Sequence, residues 1–215
     1  MRIYFDGSSW TAYKGVEEED SYPYKLAKSL GAEYDNFALR GSSNHRLVRN
    51  LLLEHDVTKY DLVILDFSDR KRLEFIKPDT GKWKQVIRVQ KDYESGANET
   101  ETIILEENYR KKKWVSAQKY KKDFWTDWYS FVYTNEMGEA HEKIHKITCQ
   151  NHCDIHGVPL LMTCHRSLSR YEFIEPTVKY DYYLKKHCKL DHPDAEEHSK
   201  IASDLEALLY QQNKI

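Results

Sequence analysis

Arg2-Ile3-Tyr4-Phe5-Asp6-Gly7-Ser8-Ser9-Trp10-Thr11 is the stretch that decides the fold. Ile3, Tyr4 and Phe5 suit a strand, and Gly7 ends it. The Gly-Ser-Ser turn that follows presents a serine at the strand's carboxyl end. Further along, Pro23 to Leu30 predicts a short helix with Leu26, Ala27 and Leu30 on one face and Gly31 as its stop signal. Tyr34 to Leu39 reads as a second strand. Gly41-Ser42-Ser43 offers a hydroxyl cap for a helix whose Leu47, Val48, Leu51 and Leu52 form one apolar stripe. Asp61 to Phe67 is a continuous apolar strand, suited to the middle of a parallel sheet.

From about Lys77 to Lys113 the pattern changes. Trp83 to Gln90 and Thr100 to Leu105 read as strands around the polar Ser95-Gly96-Ala97-Asn98 turn, an inserted hairpin or flap. The alternation resumes with a helical stretch from roughly Thr126 to His156, the strand Val158 to Thr163, and a last helix from Ala195 to Leu209 with Ile201, Ala202, Leu205 and Leu208 on one face. Strands alternating with helices predict an α/β fold, a parallel sheet with helices on both sides. One domain over 1–215 with an insertion at about 77–113 is the expected organisation.

Composition narrows the function classes. The 215 residues are 40% hydrophobic and 32% charged, which excludes a wholly disordered chain. Thirty-three basic against thirty-five acidic side chains give a net charge of −2, so there is no global attraction to nucleic acid or to an anionic membrane. No apolar run is long enough to span a bilayer. Asp6 and the Gly-Ser-Ser turn interrupt the start too early for a secretory leader. Four cysteines crowded into the last third of such a chain predict reduced thiols in a cytoplasm.

In open α/β sheets the ligand site lies beyond the carboxyl ends of the strands. Three loops there carry suggestive residues: Asp6 to Thr11, Arg40-Gly41-Ser42-Ser43-Asn44-His45, and Leu190 to His198, where His192 precedes a capping box made by Asp194 and Glu197. Each alone has a plain structural explanation as turn chemistry, helix capping, or one of ten histidines in the chain.

In order and location together, these loops resemble the SGNH, or GDSL-like, hydrolases, over most of the chain except the insertion. Gly7-Ser8-Ser9-Trp10-Thr11 is similar to that family's Gly-Asp-Ser-x-Thr block, with Ser8 where Asp is usual. Tyr22-Pro23-Tyr24-Lys25-Leu26-Ala27, Gly31 and Gly41-Ser42-Ser43-Asn44 look like a branch often seen in bacteriophage genomes. The last His-Pro block falls on His192-Pro193, and the helix after it contains His198.

The resemblance implies a three-layer, flavodoxin-like α/β fold of SGNH type. It also implies acyl transfer on an ester or acetyl group, with Ser9 as nucleophile, His192 as general base, and Ser9 N–H, Gly41 N–H and an asparagine as oxyanion donors. Besides Ser8, three positions depart from the family pattern. Lys189 stands where the aspartate that orients the histidine is expected, leaving Asp191, Asp194 or a backbone carbonyl for that role. The block after the third strand reads Asp66-Phe67-Ser68-Asp69, so Ser68 replaces the oxyanion asparagine and Asp66 a glycine; Asn44 is the substitute donor. These departures leave a second reading open, a catalytically lapsed member of the fold that binds a ligand or another protein.

Two further patterns compete. Tyr109 to Trp125 interleaves seven Lys and Arg residues with aromatics, a composition that can grip a nucleic acid or another polyanion, although a solvated basic face with its aromatics packed inward is the favoured reading in a slightly acidic chain. His141, His145, Cys149 and His152 or Cys153 form one helical stripe. Successive turns of a single helix span too far for one ion, so no metal is expected. No cofactor is implied. A small-molecule or glycan ester is the expected partner, and oligomeric state is open.

Overall fold

The computed structural model describes residues 1–70, 72–77, 81–91, 99–108, 113–119, 128, 132–164, 181–183 and 192–215. Asp191, Lys189, Cys188, the Ser95 to Asn98 turn, and the basic and aromatic segment apart from Lys113–Lys119 lie outside the described residues.

Five parallel strands form the central sheet: β1 (Arg2–Asp6), β2 (Glu33–Asn36), β3 (Leu62–Phe67), β8 (Leu160–Cys164) and β9 (Asp181–Tyr183), in the order β2-β1-β3-β8-β9. Tyr4 pairs with Val63, and Val63 with Leu160. Because side chains alternate across a strand, the sheet has two apolar faces. Tyr4, Val63, Leu65, Phe67, Leu160 and Met162 point one way, onto α2 (Asn44–Arg49), the residues following it, and α3 (Asn135–His156). Ile3, Phe5, Leu62, Ile64 and Leu161 point the other way, onto α1 (Tyr22–Ser29) and α4 (Ala195–Gln211). The result is helix, sheet, helix, the three-layer architecture expected from the sequence. Each fully buried aliphatic side chain in these layers contributes about 1.5 to 3 kcal/mol.

Local chemistry sets the helix ends. The Ser21, Ser43, Thr134 and Asp194 side chains each accept a first-turn backbone N–H, and Gly157 closes α3 in the left-handed region at φ +69°. Two boundaries differ from the sequence expectation. Helix α3 begins at Asn135 rather than near Thr126, because Thr134 caps it and the Tyr133 N–H bonds back to the Trp128 carbonyl. After Arg49, α2 widens into a π-helical turn, Asn50–Glu54. There Leu51 stays in the core while Asn50 turns its amide to Asp6.

Between β3 and α3 the chain forms a second, antiparallel sheet of β4 (Leu73–Lys77), β5 (Lys82–Lys91), β6 (Glu99–Asn108) and β7 (Lys113–Lys119). This sheet reaches beyond 77–113 at both ends. Arg49 fixes it to the body through two bonds to Glu74, at 2.9 and 3.1 Å, and by stacking over Trp83 at 4.4 Å. Among the described residues, no helix is long and apolar enough to cross a membrane.

Candidate active site

The strand order reverses at β1. The chain leaves β1 to build β2 on one side, then returns to lay β3 on the other, which opens a crevice above the carboxyl ends of β1 and β3. The loops carrying Ser9, Gly41 to Asn44 and Ser68 all start from this edge.

Ser9 and His192 meet there: Ser9 Oγ lies 3.0 Å from His192 Nε2, across 183 residues of sequence. A compact turn holds the serine, with Ala12 N donating to the Ser8 carbonyl at 2.8 Å and Lys14 N to that of Ser9 at 3.0 Å. Ser9 enters these turn bonds only through its carbonyl. Gly7 is required by space. A Cβ there would lie 2.8 Å from Asp66 Cβ and collide with Thr11 Oγ1. His192 is placed by the start of α4, where Asp194 and Glu197 form the expected capping box.

That capping box commits Asp194. Its carboxylate accepts the Glu197 N–H at 2.8 Å, and Glu197 accepts the Asp194 N–H at 3.1 Å, so the geometry gives Asp194 a cap's role. Asn44 and Ser68 are committed to each other. Asn44 Nδ2 donates to the Ser68 carbonyl at 3.2 Å, the Ser68 N–H donates to Asn44 Oδ1 at 2.8 Å, and the Ser68 hydroxyl donates to the Ser42 carbonyl at 2.7 Å. Together they clip the loop after β2 to the loop after β3. Gly41 lies at that clip with φ +79°, a conformation that favours glycine. Asp66 is fully buried and accepts the Thr11 hydroxyl at 3.0 Å and that of Thr163 at 3.3 Å.

Sequence reasoning missed the support beneath the serine loop. Asp6, with no exposed surface, accepts Gly7 N at 2.7 Å, Asn50 Nδ2 at 2.8 Å and Arg46 Nη1 at 3.2 Å. Arg46 also donates to the Phe37 carbonyl, so one guanidinium joins the loops after β1 and β2. Burial pushes the Asp6 carboxyl up to about 6, against the pull of Arg46, Asn50 and Gly7. The only sequence signal was a carboxylate at the end of a buried strand. His198 is structural: its Nδ1 accepts the Tyr22 N–H at 3.2 Å, and burial, with Lys25 nearby, lowers it to about 4. Cys149, Cys153 and Cys164 are buried.

No protein-family model matches the chain, and a search of curated proteins finds no match. Solved structures do match. TesA aligns with a TM-score of 0.54 at 10% identity, over 98% of this chain and 99% of its own. A protein assigned to the lipolytic G-D-S-L family from Desulfitobacterium hafniense DCB-2 aligns at 0.45 and 10% identity, over 97% and 99%. A carbohydrate esterase family 2 enzyme from Corynascus thermopiles aligns at 0.47 and 11%, over 99% and 66%. The chain therefore shares the three-layer α/β fold of TesA. At these identities the likeness speaks of fold alone.

Proposed function

We propose that this protein is a serine hydrolase of SGNH type that cleaves an ester or acetyl group through an acyl-enzyme. The observation that carries the reading is the 3.0 Å approach of Ser9 Oγ to His192 Nε2 at the carboxyl edge of the sheet. A serine hydroxyl is a weak nucleophile until a base within hydrogen-bond reach takes its proton.

His192 accepts the Ser9 proton as the Oγ to acyl-carbon bond forms. The Ser9 and Gly41 N–H groups stabilise the oxyanion. The protonated imidazole then gives its proton to the departing alkoxide. Water repeats the sequence, releasing the carboxylic acid and restoring Ser9. With the Ser68 hydroxyl spent on the clip, the backbone donors and the second N–H of Asn44 Nδ2 are left for the oxyanion, and the clip holds the Gly41 loop in place. Asp191, the immediate neighbour of His192, is the candidate to orient the imidazole. The single domain over 1–215, the cytoplasmic setting and the phage-type branch belong to the same reading, and the substrate is a small-molecule or glycan ester.

The test is a fluorophosphonate probe together with a short aryl ester. Stoichiometric labelling of the parent, and loss of both labelling and turnover in Ser9→Ala, are expected. The commitment of the Ser68 hydroxyl, at the position of the family's oxyanion asparagine, favours one alternative, a lapsed enzyme that binds a ligand. An unlabelled parent protein would establish that alternative.

A further inference from the structure

Helix α1 bonds to both halves of the Ser9 and His192 pair, and it does so largely through polar groups set in an apolar layer. Tyr22, its first residue, has no exposed surface and packs its ring against Phe5 and His198. Its hydroxyl lies 2.8 Å from Thr11 Oγ1, two residues beyond Ser9 in the same turn. Proton accounting orders this chain. Thr11 has one hydroxyl proton and gives it to the Asp66 carboxylate at 3.0 Å, so Tyr22 is the donor to Thr11. Burial, with Asp66 nearby, holds the Tyr22 hydroxyl well above its ordinary value, and it keeps that proton. The Thr11 carbonyl in turn accepts Asn36 Nδ2 at 2.8 Å, at the end of β2.

On its other side α1 is tied to α4. The Tyr22 N–H donates to His198 Nδ1 at 3.2 Å. One turn on, Lys25 Nζ donates to the Ala195 carbonyl at 3.0 Å and to Ser199 Oγ at 2.9 Å. These bonds fall on the opening turns of α4, the helix whose start places His192. We propose that Tyr22, acting through Thr11, is a positioning residue that sets the approach of Ser9 to His192. The proposal rests on the hydrolase reading above and adds a residue to it.

The 3.0 Å gap between Ser9 and His192 depends on how the serine turn stands against α4, and α1 holds both, the turn by a side-chain hydroxyl and α4 by a backbone N–H and an ammonium. Packing does not call for that hydroxyl. A phenylalanine ring would fill the same layer, and a buried hydroxyl costs stability unless it is bonded. Thr11 Oγ1 is also the atom for which Gly7 makes room, since a Cβ at Gly7 would collide with it. Misplacing a reacting group by about 1 Å can cost about a hundredfold in rate. A tie on each side of the pair therefore acts on rate through distance and leaves the contacts to the ester as they are.

The experiment compares full-length Tyr22→Phe, Thr11→Val and Thr11→Ser with the parent. Fluorophosphonate labelling and kcat on a short aryl ester should fall about tenfold or more in Tyr22→Phe and Thr11→Val, with KM within about twofold and the parent's circular dichroism. Thr11→Ser keeps a hydroxyl and should label near the parent's rate. A hydroxyl that serves stability alone would lower Tm in Tyr22→Phe and leave kcat and labelling unchanged, and that result would overturn the proposal. Should Tyr22→Phe misfold, equal labelling of Thr11→Val and Thr11→Ser overturns it instead. A second readout is independent of turnover: the titration of the His192 ring followed by proton NMR. Ser9→Ala should displace that titration in the parent and not in the Tyr22→Phe background. The same displacement in both backgrounds, or none in either, would overturn the proposal even where the parent takes no label, so the hydrolase reading and this one fail separately.

Discussion

Two buried polar clusters flank the loops of the parallel sheet, and they solve the same problem differently. Around Asp6 both carboxylate oxygens have donors from the backbone, Asn50 and Arg46. Around His45, three imidazoles meet with their Nδ1 atoms unpaired. A satisfied cluster resists rearrangement and suits the floor beneath a nucleophile. An unsatisfied one stores a cost in the folded state.

The comparison is broken most severely at Arg46. Arg46→Met leaves the Asp6 carboxylate buried without its cation and should destabilise the protein by about 3 to 5 kcal/mol in urea unfolding at pH 7. A cost under 1 kcal/mol would mean that the pair does not hold the loops.

The pH dependence of stability sharpens the contrast. Asp6 is raised from 3.8 to about 6, so between those values the folded state binds the extra proton and stability falls as pH rises. Two units correspond to about 3 kcal/mol, so stability measured at pH 4, 5 and 6 should lose roughly that slope in Asp6→Asn. His45, His145 and His198 have the opposite sign. Their folded values lie below 6.5, the unfolded chain binds the proton first, and stability is lost as pH falls from 6.5 toward 4. His198→Gln should flatten that limb and leave the Asp6 window in place.

Smaller effects follow from the caps and the unpaired rings. Asp194→Ala removes a helix cap and should cost about 1 kcal/mol with Ser9 labelling little changed. A collapse of labelling with stability intact would instead make Asp194 the orienter of His192. His145→Leu should change stability by less than about 1 kcal/mol, since it removes a polar atom that has no partner. A larger loss would show that the ring makes a bond of its own.

The legible parts of the site were those with local signatures. Gly7 before Ser9, Ser43 before α2, and Asp194 with Glu197 before α4 all read directly, because turn and cap chemistry acts within four residues. The bond pairing Asn44 with Ser68 was hidden, because its partners lie 24 residues apart in loops whose approach depends on strand order. Arg46 and Asn50 on Asp6 were hidden for the same reason, and so was the π-helical turn that aims Asn50. The extent of the antiparallel sheet was partly hidden: its first strand, Leu73–Lys77, is short, and it is assigned to the sheet by pairing with β5.

By itself the sequence determined the alternation of strands and helices, a parallel sheet covered on both sides, the capped starts of α2 and α4, and the residue types at the mouth of the sheet. All follow from the 2.0 and 3.6 residue periods and from short-range hydrogen bonding. Tertiary structure alone decided that His192 reaches Ser9, that Arg46 bridges two loops, and that His45 joins two imidazoles from another helix. The Arg46 to Asp6 and His192 to Ser9 contacts join residues 40 and 183 positions apart in the chain, and they are fixed only when both faces of the sheet have packed.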